Sequence, residues 1–249
     1  MDLHDCYLEE DLFPMVFTES EERDYGILFY NTENKDSFDS NHAVIYKDRI
    51  DDLHYVLADI VEFYATKGIR PMVYQSMLDD DWFDGVKVVF TDAGFKSWTE
   101  DQEYMLQTGR NTIVPDPETD VRMVCEWNDG ITAVFMEAAE PWEIKVAEKT
   151  LDNPNGWMFA AHLKGKPVGV LYGHVSERIC RVDYLLVSPK FRRKGVGRAL
   201  FNGFVEWCKH NDIERAYTWP AGATPKRIYE EGGYSVAEVR KAGRAVFET

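Results

Sequence analysis

The sequence has few cysteines, no long apolar run and no excess of basic residues. No stretch of about 18 consecutive apolar residues is present, so we expect no membrane-spanning helix. The segment Met1–Asp5 is acidic and lacks the basic and apolar regions of a signal peptide, so we expect a cytoplasmic protein. The four cysteines are scattered without a C-x-x-C pair, which indicates reduced thiols. They are Cys6, Cys125, Cys180 and Cys208.

The chain is acidic, and its charge is unevenly distributed. The 249 residues carry a net charge of −16, and 45% of them are apolar, which is enough for a sizeable core. Residues 1–117 hold 26 acidic and 9 basic residues (net −17), whereas residues 118–249 hold 18 and 19 (net +1). This balance disfavours nucleic acid as a partner. The acidic half either keeps the protein soluble or draws cationic amine substrates towards it.

Two glycines stand where a predicted strand passes into a predicted helix. The β-branched run Ile179–Val187 ends at Ser188-Pro189, and apolar residues recur at helical spacing from Val196 to Trp207. Between these elements lies Arg192-Arg193-Lys194-Gly195-Val196-Gly197, followed by Arg198. A helix start offers unpaired N–H groups and a partial positive charge, and glycine lets a ligand approach the backbone. The stretch therefore suits a phosphate, but its spacing is not that of a nucleotide P-loop or a dinucleotide fold.

This stretch resembles the pyrophosphate loop of the GNAT superfamily, the acetyl-CoA-dependent N-acetyltransferases. The [QR]-x-x-G-x-[GA] signature of that loop is matched by Arg192, Gly195 and Gly197. A second landmark of the family is a helix that ends in tyrosine and is followed by glycine and an aromatic residue, and Lys226–Tyr234 is similar to it. The resemblance covers roughly residues 121–249. It implies a fold and a co-substrate, acetyl-CoA, but does not name the acceptor.

The fold implied by the resemblance is α+β, with a mostly antiparallel, strongly bent sheet and flanking helices. The second half of the chain predicts the same order of elements. After the strand Val121–Trp127 and a helical stretch broken by Pro141 come three strands of a meander, the loop, a helix, a strand, a helix and two final strands. The elements that follow this helical stretch are, in chain order, the strands Trp157–Leu163, Val168–His174 and Ile179–Val187, a helix to about His210, the strand Ile213–Trp219, a helix at about Pro225–Glu231, and the strands Tyr234–Arg240 and Arg244–Glu248.

The first half repeats this order of elements without the glycines. Phe90–Phe95 echoes Tyr229–Tyr234, which comes 139 residues later. Where the phosphate loop would stand, Lys47–Asp52 has no glycine, and its acids would repel a diphosphate. We therefore predict a smaller, degenerate GNAT-like unit of residues 1–117 without a cofactor loop. Asn111–Glu118 reads as the linker to an N-acetyltransferase domain of residues 118–249.

Binding of acetyl-CoA is predicted at the glycine loop and at the strand before it. Backbone N–H groups from Lys194 to Arg198 would hold the diphosphate, with added charge from Arg192 and Lys194. The resemblance implies that the preceding strand pairs through its backbone with the pantetheine arm, and that a backbone N–H there polarises the thioester carbonyl. The side chains of Leu185 and Val187 are expected in the core. The predicted binding residues are Leu185, Leu186, Val187, Arg192, Arg193, Lys194, Gly195, Val196, Gly197, Arg198 and Tyr229.

Two side chains are candidates for the proton transfers of acetyl transfer, which must protonate the leaving thiolate and deprotonate the amine. Tyr229 is the candidate acid by its position, and its other interpretation is a buried tyrosine packed against the loop. Asp183 is the first candidate base, on the strand before the loop. Glu126 and His174 are alternatives to it, and ordered water would need no dedicated base.

One position departs from the family pattern. The family often has asparagine seven residues before the tyrosine, where this chain has Gly222, so that contact is missing or is made by another residue such as Thr224. Asp79-Asp80-Asp81 is a run of adjacent acids rather than a set of spaced ligands, and we predict no metal site there.

These observations predict an N-acetyltransferase that moves an acetyl group from acetyl-CoA to a primary amine of a small molecule or peptide by direct attack. Two alternatives remain from the sequence. One is a coenzyme A-binding sensor with weak or no turnover, and the other is an interaction protein whose acidic first half binds a basic partner. No nucleic acid, membrane or metal partner is predicted, and the amine and a homodimeric state are left open.

Overall fold

The computed structural model describes residues 3–176, 179–213 and 215–248, and it divides the chain into two compact units. The first unit is Met1–Gln102 with Val239–Thr249, and the second is Glu103–Glu238. The boundary predicted at residues 117/118 differs from this division, because it keeps the last strand of the chain with the second half. None of the described helices is both long and apolar enough to cross a membrane.

The first unit places helices beside a small mixed sheet. Its helices are α1 (His4–Leu12), α2 (Leu53–Lys67) and α3 (Lys87–Asp92), and its strands are β1 (Glu19–Arg23), β2 (Gly26–Tyr30), β3 (Ala43–Ile45), β4 (Met72–Gln75) and the start of β5 (Phe95–Gln107). β1, β2 and β3 are antiparallel neighbours, and β3 pairs with β4 in parallel. α2 begins where Asp52 accepts hydrogen bonds from the N–H groups of His54 and Tyr55, and it ends at Gly68 in the left-handed conformation (φ 63°), which glycine adopts readily.

The second unit has the predicted meander and helices. Its helices are α4 (Asp129–Ala138), α5 (Pro141–Asp152), α6 (Val196–His210) and α7 (Ala223–Glu231), and its strands are β6 (Thr119–Met123), β7 (Gly156–Leu163), β8 (Lys166–Ser176), β9 (Ile179–Val187), β10 (Arg215–Thr218) and the start of β11 (Tyr234–Phe247). β6, β7, β8 and β9 are antiparallel neighbours, whereas β10 runs parallel to β9 and antiparallel to the end of β5. Pro141 opens α5, a position where its missing N–H costs nothing. Glu214, within the predicted strand Ile213–Trp219, lies outside the described residues.

The end of the chain forms one strand, not the two that the sequence predicts. β11 runs from Tyr234 to Phe247 without a turn at Lys241–Gly243. Gly243 reads as a turn residue, but a Cβ on it would lie 2.4 Å from a ring carbon of Phe83. The glycine therefore marks a close approach between a strand and an aromatic ring rather than a reversal of the chain.

The predicted linker is irregular, and its first three residues are anchored on the second unit, whereas residues 114–118 are exposed. Asn111–Glu118 contains no helix or strand, in agreement with its two prolines. Ile113 is buried in the same apolar cluster as α6. Asn111 Nδ2 donates to Asn202 Oδ1 at 2.8 Å, and the Thr112 N–H donates to the Glu231 carbonyl at 2.8 Å. Residues 111–113 are thus part of this unit's structure rather than a flexible connection.

A buried carboxyl in the first unit makes its stability depend on pH. Asp11 of α1 accepts hydrogen bonds from the Ser76 hydroxyl and the Met77 N–H, yet burial raises its pKa from 3.8 to about 7, and the charges of Glu10 and Asp79 add to the rise. A carboxyl whose pKa is raised by folding stabilises the fold below its unfolded pKa, and that contribution is lost as pH rises through about 7.

We therefore expect Asp11→Asn to stabilise the protein much more at pH 8.5 than at pH 5, because the effect grows between the unfolded pKa of 3.8 and the folded pKa of about 7. Asparagine keeps an acceptor for Met77 and carries no charge to desolvate, so the gain at high pH is up to ~4 kcal/mol. Thermal unfolding of both proteins between pH 5 and 8.5 measures it, with Asp48→Asn at an exposed position as the control. Parallel stability curves for Asp11→Asn and the parent protein would refute the expectation.

Candidate active site

The glycine loop joins β9 to α6 through a backbone that few residues can adopt. After a short 3₁₀ turn at Pro189–Phe191, Arg193 (φ 61°) and Gly195 (φ 80°) both have left-handed conformations. Gly195 is the N-cap residue of α6, whose first-turn N–H groups have no partner within the helix. α6 has 15 residues, and the aligned peptide dipoles of a helix this long place a partial positive charge at its N-terminus. The loop therefore presents backbone donors to an anion.

Close packing around Gly197 favours a residue without a side chain. A Cβ on it would lie 3.1 Å from Ile228 Cδ1 and 3.7 Å from Leu185 Cδ2. The first turn of α6 thus lies directly against α7 and β9. The second glycine of the signature lets the helix that carries Tyr229 reach the loop, a reason that the sequence pattern alone does not indicate.

The four predicted cations have different surroundings. Arg192, Arg193 and Lys194 are exposed, and Arg192 Nε donates to the Val187 carbonyl at 3.0 Å, which braces the loop against the end of β9. Lys194 Nζ lies 5.2 Å from the centre of the Phe191 ring. The guanidinium of Arg198 is held by the Glu231 carboxylate, so it adds little net charge to the loop.

The strand before the loop has an open edge. Parallel pairing of β9 with β10 runs from Ile179 to Arg181, and β10 ends at Thr218 while β9 continues to Val187. In the described residues, Leu185 to Val187 of β9 therefore have no strand partner on that side. The predicted binding residues Leu185, Leu186 and Val187 lie on this stretch. Leu185 and Val187 pack on the core that contains buried Val196, and Leu186 packs on the opposite cluster, as expected for side chains that leave the backbone edge exposed.

The residues present fit the diphosphate and pantetheine arm of coenzyme A. Backbone donors at a helix N-terminus and three exposed cations suit two linked phosphates, and an unpaired strand edge suits an extended arm with amide groups. Lys194 to Arg198 would hold the diphosphate, and Leu185 to Val187 would pair with the arm. Acetyl-CoA bound there would supply the thioester.

Tyr229 is buried beneath the loop. It is 4% exposed, its ring lies 4.7 Å from that of Phe201, and its hydroxyl has a hydrogen bond with Thr218. Burial raises the pKa of Tyr229 to about 12, and the Thr218 hydrogen bond opposes the rise. The phenol therefore keeps its proton at neutral pH.

The raised pKa limits what Tyr229 can do as an acid. An ordinary thiol has a pKa near 8.5, so full proton transfer from a phenol of pKa about 12 to a thiolate is uphill by ~5 kcal/mol. A hydrogen bond donated to the developing thiolate has no such cost.

Asp183 is the extra residue of a β-bulge and lies in a buried ionic group. Tyr172 of β8 is opposite Tyr184 and Gly173 is opposite Val182, so Asp183 has no partner between them. Its carboxylate contacts the Arg181 guanidinium and lies 3.5 Å from His174 Nδ1. An adjacent arginine favours the ionised carboxylate. Of the alternative bases, His174 belongs to this group, whereas Glu126 is exposed.

If Asp183 is the base, Asp183→Asn is expected to lower kcat/KM at least tenfold and to remove the acidic limb of the pH–rate profile. Loss of one partner of a buried ion pair costs about 3–5 kcal/mol, so thermal unfolding must show that the variant is folded at the assay temperature. A folded Asp183→Asn enzyme with the parent pH–rate profile would assign Asp183 to the ion pair alone.

The corresponding loop of the first half bonds to carboxylates of its own chain. The Lys47 N–H donates to Asp79 Oδ2 at 2.7 Å, and Asp52 caps the start of α2. The Ser76 N–H donates to the Ile45 carbonyl at 3.1 Å, so β3 and β4 stay joined to the end of β3. In the first half, carboxylates therefore accept from the backbone N–H groups of the loop, and the paired strand β4 covers the end of β3. Among the described residues, the glycine loop of the second half has no such carboxylate acceptors and follows an open strand edge.

Two contacts of the site were missed by reasoning from the sequence. Thr218 is the last residue of β10, and Glu231 ends α7; each acts on a residue far away along the chain, which no local pattern indicates. Gly222, where the family often has asparagine, precedes α7 with φ 102°, a conformation that favours glycine. Thr224 lies exposed in the first turn of that helix.

Known proteins resemble this chain in fold and, over residues 121–231, in sequence. Residues 121–231 match the model of the Acetyltransferase (GNAT) family. No curated protein matches the chain. Among solved structures, a GCN5-related N-acetyltransferase from Kribbella flavida has a TM-score of 0.72 at 12% identity, covering 99% of this chain and 95% of that one. A functionally unknown conserved protein from Staphylococcus epidermidis has a TM-score of 0.69 at 14% identity, covering 97% and 98%.

The two-unit arrangement also has a counterpart. A tandem GNAT protein from the clavulanic acid biosynthesis pathway has a TM-score of 0.56 at 9% identity, covering 84% of this chain and 76% of that one. Identities this low establish the fold alone. The family match assigns residues 121–231, which lie in the second unit, to the GNAT acetyltransferase family, and the solved structures share the fold of the two-unit chain.

Proposed function

We propose that the second unit is an N-acetyltransferase that uses acetyl-CoA and acetylates a primary amine of a small molecule or peptide by direct attack. The observation that supports the proposal most is the combination of a glycine-capped helix N-terminus with an unpaired strand edge directly before it. This combination suits a ligand that has a diphosphate at one end and an extended amide-bearing arm at the other.

In this proposal, different residues bind acetyl-CoA, stabilise the developing charge and take part in the proton transfers. N–H groups of the loop and the exposed cations Arg192, Arg193 and Lys194 hold the diphosphate, and the edge of β9 orients the arm. A backbone N–H at Leu185 to Val187 stabilises the oxygen on which charge develops. Tyr229 donates a hydrogen bond to the departing sulfur, and Asp183 or water accepts the proton of the amine.

The first unit is proposed to bind no coenzyme A. Asp79 and Asp52 take the backbone donors that a diphosphate would need, and their charges would repel it. One molecule of coenzyme A per chain is therefore the expected stoichiometry in calorimetry.

Release of free coenzyme A tests the activity. The protein is incubated with acetyl-CoA and with each of a panel of amines that contains polyamines, aminoglycosides, amino acids and peptides, and thiol is measured. Amine-dependent thiol release together with an acetylated product is the expected result. Tight binding of coenzyme A without release for any amine would point to a sensor, and absence of binding would refute the proposal.

Tyr229→Phe is expected to lower kcat by one to two orders of magnitude and to leave the Kd of coenzyme A within about twofold. The change keeps the buried ring and removes the hydroxyl, so the hydrogen bond with Thr218 and the proposed one to the leaving sulfur are both lost. Loss of a transition-state donor typically lowers the rate about 10²-fold or more. Steady-state kinetics and calorimetry measure the two quantities. An unchanged kcat would remove Tyr229 from the mechanism.

A further inference from the structure

α7 has little apolar anchorage for a helix that would carry a functional side chain. Tyr229 is the only side chain of α7 that is fully buried. Ile228 is partly buried against the same core. Further contacts of the helix are polar: Lys226 Nζ lies 2.8 Å from Glu103 Oε1, and the Glu231 carbonyl accepts hydrogen bonds from the N–H and hydroxyl of Thr112. Because few apolar groups fix α7, ionic contacts have a large share in setting where Tyr229 lies.

One of these contacts leads directly to the glycine loop. The Glu231 carboxylate binds Arg198 at two points, to Nε and, at 2.7 Å, to Nη2. Arg198 is in the first turn of α6, next to Gly197. Such two-point arginine–carboxylate pairs fix orientation as well as distance. Glu231 also meets Arg227 Nε at 3.2 Å, but Arg227 lies on α7 itself and its side chain is 75% exposed.

The same turn of α6 supports the ring of Tyr229. A Cβ on Gly197 would lie 3.1 Å from Ile228, and the Phe201 ring lies 4.7 Å from the Tyr229 ring. Residues 197, 198 and 201 of α6 thus lie against residues 228, 231 and 229 of α7.

We infer that Glu231 is a positioning residue that couples the phosphate-binding end of α6 to Tyr229 through its ion pair with Arg198. The inference rests on the proposed function. Coenzyme A bound at the loop orders the first turn of α6, the Arg198–Glu231 pair passes that order to α7, and the phenol is held where the sulfur leaves. Glu231 itself touches neither coenzyme A nor the acceptor.

Hydrogen exchange of the full-length protein tests the coupling without any turnover. In the parent protein, coenzyme A at saturation is expected to slow exchange of residues 223–231 at least fivefold. Glu231→Gln is expected to bind coenzyme A within about threefold of the parent affinity and to lose that slowing. Arg227→Gln removes only the exposed partner of Glu231 and is expected to keep it. Calorimetry on all three proteins confirms saturation.

Kinetics supply the second readout. Glu231→Gln is expected to lower kcat about tenfold with little change in the KM for acetyl-CoA, and to have no further effect in a protein that already carries Tyr229→Phe. Additive effects in that double variant, or slowed exchange of α7 that survives in Glu231→Gln, would overturn the coupling. Binding of coenzyme A without any effect on α7 in the parent protein would overturn it too. Absence of coenzyme A binding would instead defeat the proposed function, and the coupling with it.

Discussion

Gly195→Glu is expected to weaken the binding of coenzyme A more than 100-fold. The residue caps α6 with φ 80°, and a side chain there costs about 1–2 kcal/mol of backbone strain. The new carboxylate would stand at the helix N-terminus, where it would take the backbone donors and repel a diphosphate. Strain and repulsion act on the same short segment, so the loss of affinity is large although the change is confined to one loop. Calorimetry with coenzyme A measures it.

The chain offers a matched control for this change. Gly165, in the turn between β7 and β8, has φ 78° and no atom within 4 Å of an added Cβ. Gly165→Glu therefore introduces the same strain and the same charge outside the glycine loop and away from a helix N-terminus. We expect the midpoint temperature of thermal unfolding to fall by a similar amount in both variants. The affinity for coenzyme A should fall only in Gly195→Glu. Equal affinities in the two variants would show that coenzyme A binds elsewhere, and the transferase proposal would lose its site.

Local patterns predicted most elements that pack on a core, and missed those that do not. α2 shows the periodicity, the N-cap and the C-terminal glycine of a helix, and all three appear in the structure. β1 has the sequence Glu-Ser-Glu-Glu-Arg and is largely exposed, so it lacks the alternation that identifies a strand. α1 places Glu9, Glu10 and Asp11 among its buried residues, which reverses the usual rule for acidic side chains. Sequence patterns identify elements whose apolar side chains are buried. β1 is largely exposed and α1 buries acidic side chains, so neither element shows such a pattern.

The candidate site shows the same division between local and distant information. The glycine signature and the position of Tyr229 are properties of short segments, and the sequence indicated both. The pairing of Arg198 with Glu231, 33 residues apart, and that of Asp183 with Arg181 at a bulge depend on how strands and helices pack. Arg198 therefore looked like a fourth phosphate-binding cation, whereas the structure places its guanidinium against a carboxylate.

Which strands pair is also a property that local patterns leave open, and here it has consequences for stability. Residues 244–246 of β11 pair with residues 72–74 of β4, and the Phe247 N–H donates to the Pro71 carbonyl at 3.0 Å. Ala245 is fully buried, and the Phe247 ring packs 5.2 Å from that of Phe95. The first compact unit is thus completed by the last residues of the chain, which the sequence assigned to the other domain.

Deletion of residues 239–249 is therefore expected to unfold the first unit. The deletion would expose the hydrogen-bonding edge of β4, leave the space beside Phe83 and Phe95 unfilled, and create an unpaired apolar edge that favours aggregation. We expect hydrogen exchange in residues 26–75 to approach that of an unfolded chain. Lys241→Ala is the control, because that side chain has only an exposed ion pair with Asp101 and should change stability by at most about 1 kcal/mol.

A fragment experiment separates the two views of where the first unit ends. Residues 1–117, the domain predicted from the sequence, should be unfolded when produced alone. The same fragment with residues 239–249 joined through a glycine–serine linker should regain cooperative thermal unfolding, because the linker restores the neighbour of β4 without any residue between 118 and 238. A folded fragment 1–117 would contradict this expectation and would show that the C-terminal strand only covers a unit that is stable without it.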